Sequence, residues 1–91
     1  MLAPEAVEDL RALPAVTRAQ VRSALETHLR HEPMKLSRSR IKRLRGVSRP
    51  QFRLRVDEIR VFYDVAHVVE VLAIVEKGEA SSWLAKFGSP E

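Results

Sequence analysis

The chain contains no cysteine, which excludes disulfide staples and thiolate metal sites. Its three glycines, Gly46, Gly78 and Gly88, stand far apart, so no glycine-rich loop is available to wrap a nucleotide phosphate. No apolar run reaches the roughly 20 residues that a helix needs to cross a bilayer. The opening Met1-Leu2-Ala3-Pro4-Glu5 has neither the basic leader nor the apolar stretch of a signal peptide. The expected location is therefore cytoplasmic, with no membrane partner. No Ser-His-Asp or Cys-His arrangement stands out. His28 and His31 sit three apart on an expected helix, but no acidic or cysteine partner completes a ligand motif, so neither metal nor cofactor is expected.

What the chain does have is an uneven distribution of charge. Its 91 residues carry a net charge of +4 and suit a single domain, residues 1–91, with one modest core. Residues 1–34 hold four arginines against five acids, and residues 61–91 two lysines against five acids. Residues 35–60 hold ten lysines or arginines against two acids, a net of +8. A cationic middle between mildly acidic ends forms a patch that attracts polyanions such as nucleic acid.

Helical periodicity marks the first third. Pro4 suits a first helical turn, and Ala6, Val7, Leu10 and Leu13 keep one face until Pro14 interrupts. A second helix is expected from Thr17, where Thr17 and Gln20 have the spacing of a capping box. Its apolar stripe is Val21, Ala24, Leu25 and Leu29, and Pro33 ends it. Residues 34–50 show no period and read as a basic loop with a short turn near Ile41–Leu44. Period two then appears. Phe52, Leu54 and Val56 alternate with Arg53, Arg55 and Asp57, and Ile59, Val61 and Tyr63 alternate with Arg60, Phe62 and Asp64. A turn at Asp57-Glu58 sets Val56 against Ile59, Arg55 against Arg60 and Arg53 against Phe62. A further turn at Ala66-His67 leads into the apolar run Val68–Val75, a strand covered on both faces, with Ala73 opposite Arg60 in the simplest register. Residues 81–88 read as a short C-terminal helix with Trp83, Leu84 and Phe87 on its apolar side. The expected fold is α+β: two N-terminal antiparallel helices on one face of a small antiparallel sheet of at least three strands, then a short helix.

The candidate chemistry is cationic. Like charges directly opposed on a sheet cost a few tenths to about 1 kcal/mol. The arginine cluster Arg53, Arg55 and Arg60 therefore calls for a counter-ion. Guanidinium binds phosphate bidentately and stays charged. The alternative is internal neutralisation by Asp57, Glu58, Asp64 and the C-terminal acids.

The order helix-helix, basic segment, three antiparallel strands resembles the RelE/ParE family of bacterial toxins. The resemblance is carried by Arg43–Gly46, Phe52–Val56, Ile59–Tyr63 and Val71–Lys77, and spans about residues 3–88. It implies the toxin of a type II toxin–antitoxin system, held inactive by a cognate antitoxin. RelE-like members cleave mRNA on the ribosome without a metal, and ParE-like members inhibit DNA gyrase. By the resemblance, Arg55 and Arg60 match the arginines flanking the family's hairpin turn. Arg53 falls where RelE-like enzymes carry a catalytic lysine, and Lys77 matches a basic position after the last strand. These four are the expected catalytic residues of a metal-independent endoribonuclease. Lys42, Arg43, Arg45, Arg49 and Trp83 are expected to bind RNA. The chain departs from the family at Gln51, where a second lysine is expected, at Gly78, where an arginine is expected, and near Leu84, where a tyrosine is expected. Family members also open with a β-strand, whereas only Met1, Leu2 and Ala3 precede Pro4. An uncovered sheet edge is therefore expected, and with it either a homodimer through that edge or the addition of an antitoxin strand to it.

Overall fold

The computed structural model describes residues 1–91. Helix α1 spans Pro4–Ala12, with Pro4 at its first position and Arg11 in its last turn, where proline's missing N–H and the cation's charge both suit the helix ends. Leu13 turns extended ahead of Pro14. Helix α2 spans Ala15–Ala24 and widens into a π turn over Leu25–Leu29. It begins at Pro14 without a side-chain cap. Thr17 thus lies inside the helix, and the expected capping box is not formed. Proline's fixed φ starts the helix two residues earlier.

Residues 34–50 depart furthest from expectation. Instead of one loop they contain β1, Ile41–Arg43, and β2, Val47–Arg49, joined through Gly46 at φ +79°, a conformation that favours glycine. Both strands are three residues long and largely exposed, too short for period two to emerge in the sequence. The hairpin follows as β3, Phe52–Val56, and β4, Ile59–Val65. Its register is the expected one: Phe52 opposes Tyr63, Arg53 Phe62, Leu54 Val61, Arg55 Arg60 and Val56 Ile59. Asp57 takes φ +50° in the turn, which aspartate tolerates better than most residues.

Strand β5, Val69–Glu76, pairs with β4 one residue off the simplest register next to the turn and two residues off from Phe62 onward. Val75, not Ala73, lies opposite Arg60: the connecting turn is one residue longer than expected, with Val65 opposite Val69, and an irregularity at Phe62/Tyr63 adds the second residue. The four-stranded sheet runs β1-β3-β4-β5, all antiparallel. A 3₁₀ turn, Lys77–Glu79, leads into α3, Ala80–Phe87. Finally β6, Ser89–Pro90, pairs with β2. Gly88 makes that exit possible, because a Cβ there would lie 2.6 Å from the Leu84 carbonyl oxygen.

Helix α1 packs on β5 and α2 on β3, both on one face of the sheet. Ala6, Leu10, Val21 and Leu29 meet Ile41, Phe52, Leu54, Ile59, Val61, Tyr63, Val71 and Ile74 in a single core. Tyr63 is fully buried, stacks on Phe52 at 5.4 Å and donates its hydroxyl to the Pro33 carbonyl at 2.5 Å. Burial pushes its phenol well above the usual tyrosine range. On the other face α3 covers Phe62, whose ring stacks on Trp83 at 5.0 Å.

The edge expected to be open is partly closed. Leu2 bridges Val71 in parallel, the Met1 amino group donates to Val69 O, and Ala3 N–H donates to Val71 O. Further along, the Asp9 carboxylate accepts the Ile74 N–H at 3.0 Å. The edge on which the homodimer expectation rests is thus shorter than expected. At the opposite edge Ser37 Oγ accepts from Arg40 and Ile41 N–H, and Ser37 N–H donates to Ile41 O. The segment before β1 thus covers part of this edge, one of the ways a sheet is protected from strand addition. No helix is long and apolar enough to cross a membrane.

Candidate functional site

Pleat alternation decides which cations meet. Lys42 opposes Arg53, and Arg53 opposes Phe62, so Lys42, Arg53, Arg55 and Arg60 share the face away from α1 and α2. On that face lies a cavity of about 510 Å³ lined by Lys42, Leu44, Arg45, Arg53, Arg60, Phe62, Ala80, Ser81 and Leu84. One wall comes from β1 and the turn after it, the other from the first turns of α3. Pairing of β6 with β2 fixes the two walls relative to each other, and the Trp83–Phe62 stack seats α3 on the sheet.

None of the cations in the cavity is neutralised. The chain's ion pairs are Arg11–Glu8, Arg30–Glu26, Lys35–Glu32 and those of Arg49, so internal neutralisation by Asp57, Glu58 or C-terminal acids does not occur. Arg60 is only 7% exposed. One of its terminal nitrogens donates to the carbonyls of Asp57 at 2.7 Å and Ile59 at 3.1 Å. These bonds hold the guanidinium in place while leaving its charge uncompensated. The Arg53 Nε is buried without a hydrogen-bond partner. Burial, then the neighbouring charges of Arg60 and Arg55, lower the pKa of Arg53. A buried donor without a partner, among like charges, is a group prepared for an acceptor that carries negative charge.

The remaining expected residues divide. Arg55 lies on the same face and is exposed, outside the cavity lining. Lys77 opens the 3₁₀ turn, is exposed and does not line the cavity either. Arg43 opposes Phe52 and covers that ring at 5.2 Å, which places it on the helix-bearing face. Arg49 pairs with Asp64 at 3.2 Å and Glu70 at 3.1 Å. Two carboxylates satisfy it and withdraw it from any polyanion. Trp83 is half-buried against Phe62 and Phe87, so it acts as the anchor of α3 and not as an open stacking platform. Gln51 is structural: its N–H donates to Asp64 at 2.7 Å and its side-chain oxygen accepts from Val65 N–H at 2.7 Å.

Sequence reasoning missed Ser81, Leu44 and Leu84 as cavity residues. Ser81 had a weak signal, a hydroxyl in the first turn of the last helix. Leu44 had none, since only the β1–β2 turn brings it across from α3. No histidine, tyrosine or carboxylate lines the cavity, and no group of acidic or histidine side chains could hold a metal ion. The arrangement can bind an anion through four cations and one hydroxyl, against an apolar strip of Leu44, Phe62 and Leu84.

No protein-family model matches the sequence, and no curated protein matches it. Two solved structures share its fold. A chain of the RelB–RelE antitoxin–toxin complex from Methanococcus jannaschii superposes with a TM-score of 0.68 at 19% identity, over 91% of this chain and 96% of that one. A chain of the archaeal RelE–RelB complex from Pyrococcus horikoshii OT3 gives 0.61 at 24% identity, over 85% and 91%. The fold is that of the RelE toxins.

Proposed function

We propose that the chain is the toxin of a type II toxin–antitoxin pair and that its cation-lined cavity binds RNA phosphates. The observation that carries this reading is the set Lys42, Arg45, Arg53 and Arg60 around one cavity with no ion pair among them. The fold shared with chains of RelB–RelE complexes supports a cognate antitoxin as partner, and carboxylates on that partner would neutralise the basic face. The activity we assign is that of a ribosome-dependent mRNA interferase. Arg53 and Arg60 would stabilise the charge that develops on a phosphoryl group as a 2′-hydroxyl attacks it, the kind of preorganised electrostatic stabilisation that dominates many enzymes. They would do so without metal and without taking a proton, since guanidinium stays protonated.

One observation favours a second reading. The cavity lacks any imidazole, phenol or carboxylate to move a proton, and general acid–base catalysis typically contributes 10²–10⁴-fold. A toxin acting by binding alone, on RNA or on DNA gyrase, fits that deficit. Primer extension on mRNA translated in the presence of the protein separates the readings. New 5′ ends that disappear with Arg53→Met establish the interferase. Intact mRNA together with inhibited gyrase supercoiling establishes the second reading.

A further inference from the structure

The cavity holds more positive charge than an internal RNA phosphate can balance. Four cations converge on it and no carboxylate lines it. An internal phosphodiester brings one negative charge and two free oxygens. A terminal phosphate monoester brings about −1.5 to −2 and three strong acceptor oxygens, with a second pKa near 6. The donors match the larger group. Arg60 is fixed by two backbone carbonyls, Arg53 Nε is buried with no partner, and Ser81 lines the same space. A volume of about 510 Å³ falls within the range that holds a small ligand, and Leu44, Phe62 and Leu84 supply an apolar surface for a base or ribose.

We infer that this cavity recognises the phosphorylated end of an RNA chain, a dianionic monoester attached to a terminal nucleoside, in preference to an internal phosphodiester. The inference rests on the RNA-binding reading and names the ligand that the same site holds most tightly.

Fluorescence anisotropy with one short RNA sequence in three forms tests it: 3′-phosphorylated, 5′-phosphorylated, and hydroxyl at both ends, at fixed salt. At pH 7.5 one phosphorylated form binds at least about tenfold tighter than the hydroxyl form, and which one identifies the end recognised. The advantage shrinks below about pH 6, where the monoester becomes a monoanion, and it is lost in Arg53→Met and reduced in Arg45→Gln. Arg45 is exposed, so its replacement leaves the fold intact. Equal binding of all three forms overturns the inference and leaves the RNA-binding reading standing. A preference that survives both substitutions also overturns it, because the phosphate is then held elsewhere. No binding of any form removes the inference and the RNA-binding reading together.

Discussion

The two faces of the sheet carry opposite kinds of energy. The face under α1 and α2 is closed, apolar and satisfied: even its buried hydroxyl, on Tyr63, has found a carbonyl. The face under α3 is half-open and unsatisfied, with a buried arginine that has no acid and another that has an orphaned nitrogen. Alternate residues of β3 and β4 supply both. The difference teaches that the hairpin is stabilised from one side and made reactive toward anions from the other. Mutations should therefore separate cleanly into those that cost stability and those that cost binding.

The sharpest break in that comparison is Tyr63→Ala. Removing a fully buried aromatic ring costs about 3–5 kcal/mol, read by urea denaturation. Arg55→Ala, on the exposed outer face, stays within about 0.5 kcal/mol of wild type or gains stability by relieving the opposed arginine pair. If both substitutions destabilise alike, the division between the faces fails.

Next in size is the effect of an anion. A ligand at a hundred times its dissociation constant stabilises by about 2.7 kcal/mol. Inorganic phosphate should therefore raise the melting temperature by several degrees over chloride at equal ionic strength. Arg53→Met should abolish that increment without lowering the melting temperature in chloride, since it removes a partly buried charge that has no counter-ion.

The closed face also predicts a pH limit. Burial raises the Tyr63 phenol pKa above its unfolded value, so the folded state keeps a proton that the unfolded chain loses. The associated stability is complete below about pH 10 and falls as pH rises beyond it, by about 1.4 kcal/mol per pH unit. Tyr63 is the only tyrosine, so tyrosinate absorbance should appear together with unfolding. Tyr63→Phe removes this slope and costs about 1 kcal/mol at neutral pH for the lost hydrogen bond.

The smallest effect is expected at Arg49, which lies outside the cavity lining. Its bonds to Asp64 and Glu70 are more than half exposed on the arginine side. Arg49→Gln should cost at most about 1 kcal/mol and leave RNA affinity unchanged. Arg49 and Arg53 are thus the paired test: the same residue type four positions apart, one already neutralised and one not.

By itself the sequence determined the two helices, the β3–β4 hairpin and its register, and the gathering of Arg53, Arg55 and Arg60 on one face. Each rests on local periodicity or on a turn that pairs neighbours in the chain, and a one-residue slip would bury the arginines. Tertiary structure alone decided the rest. The strands β1 and β2 are three residues long and take their conformation from β3 and β6, which lie 9 to 43 positions away in the chain. Asp9 reads as a helix-start acid, yet it serves an amide 65 residues away. A turn one residue longer than expected and the irregularity at Phe62/Tyr63 together moved Val75 to the place expected for Ala73. Among the cations, composition could count them, but only the fold could sort them. Arg43 went to an aromatic ring and Arg49 to two acids, while Lys42, Arg45, Arg53 and Arg60 were left together around one cavity. Charge is a property of residues, whereas neutralisation is a property of distances, and those distances are set by pairings remote in the chain.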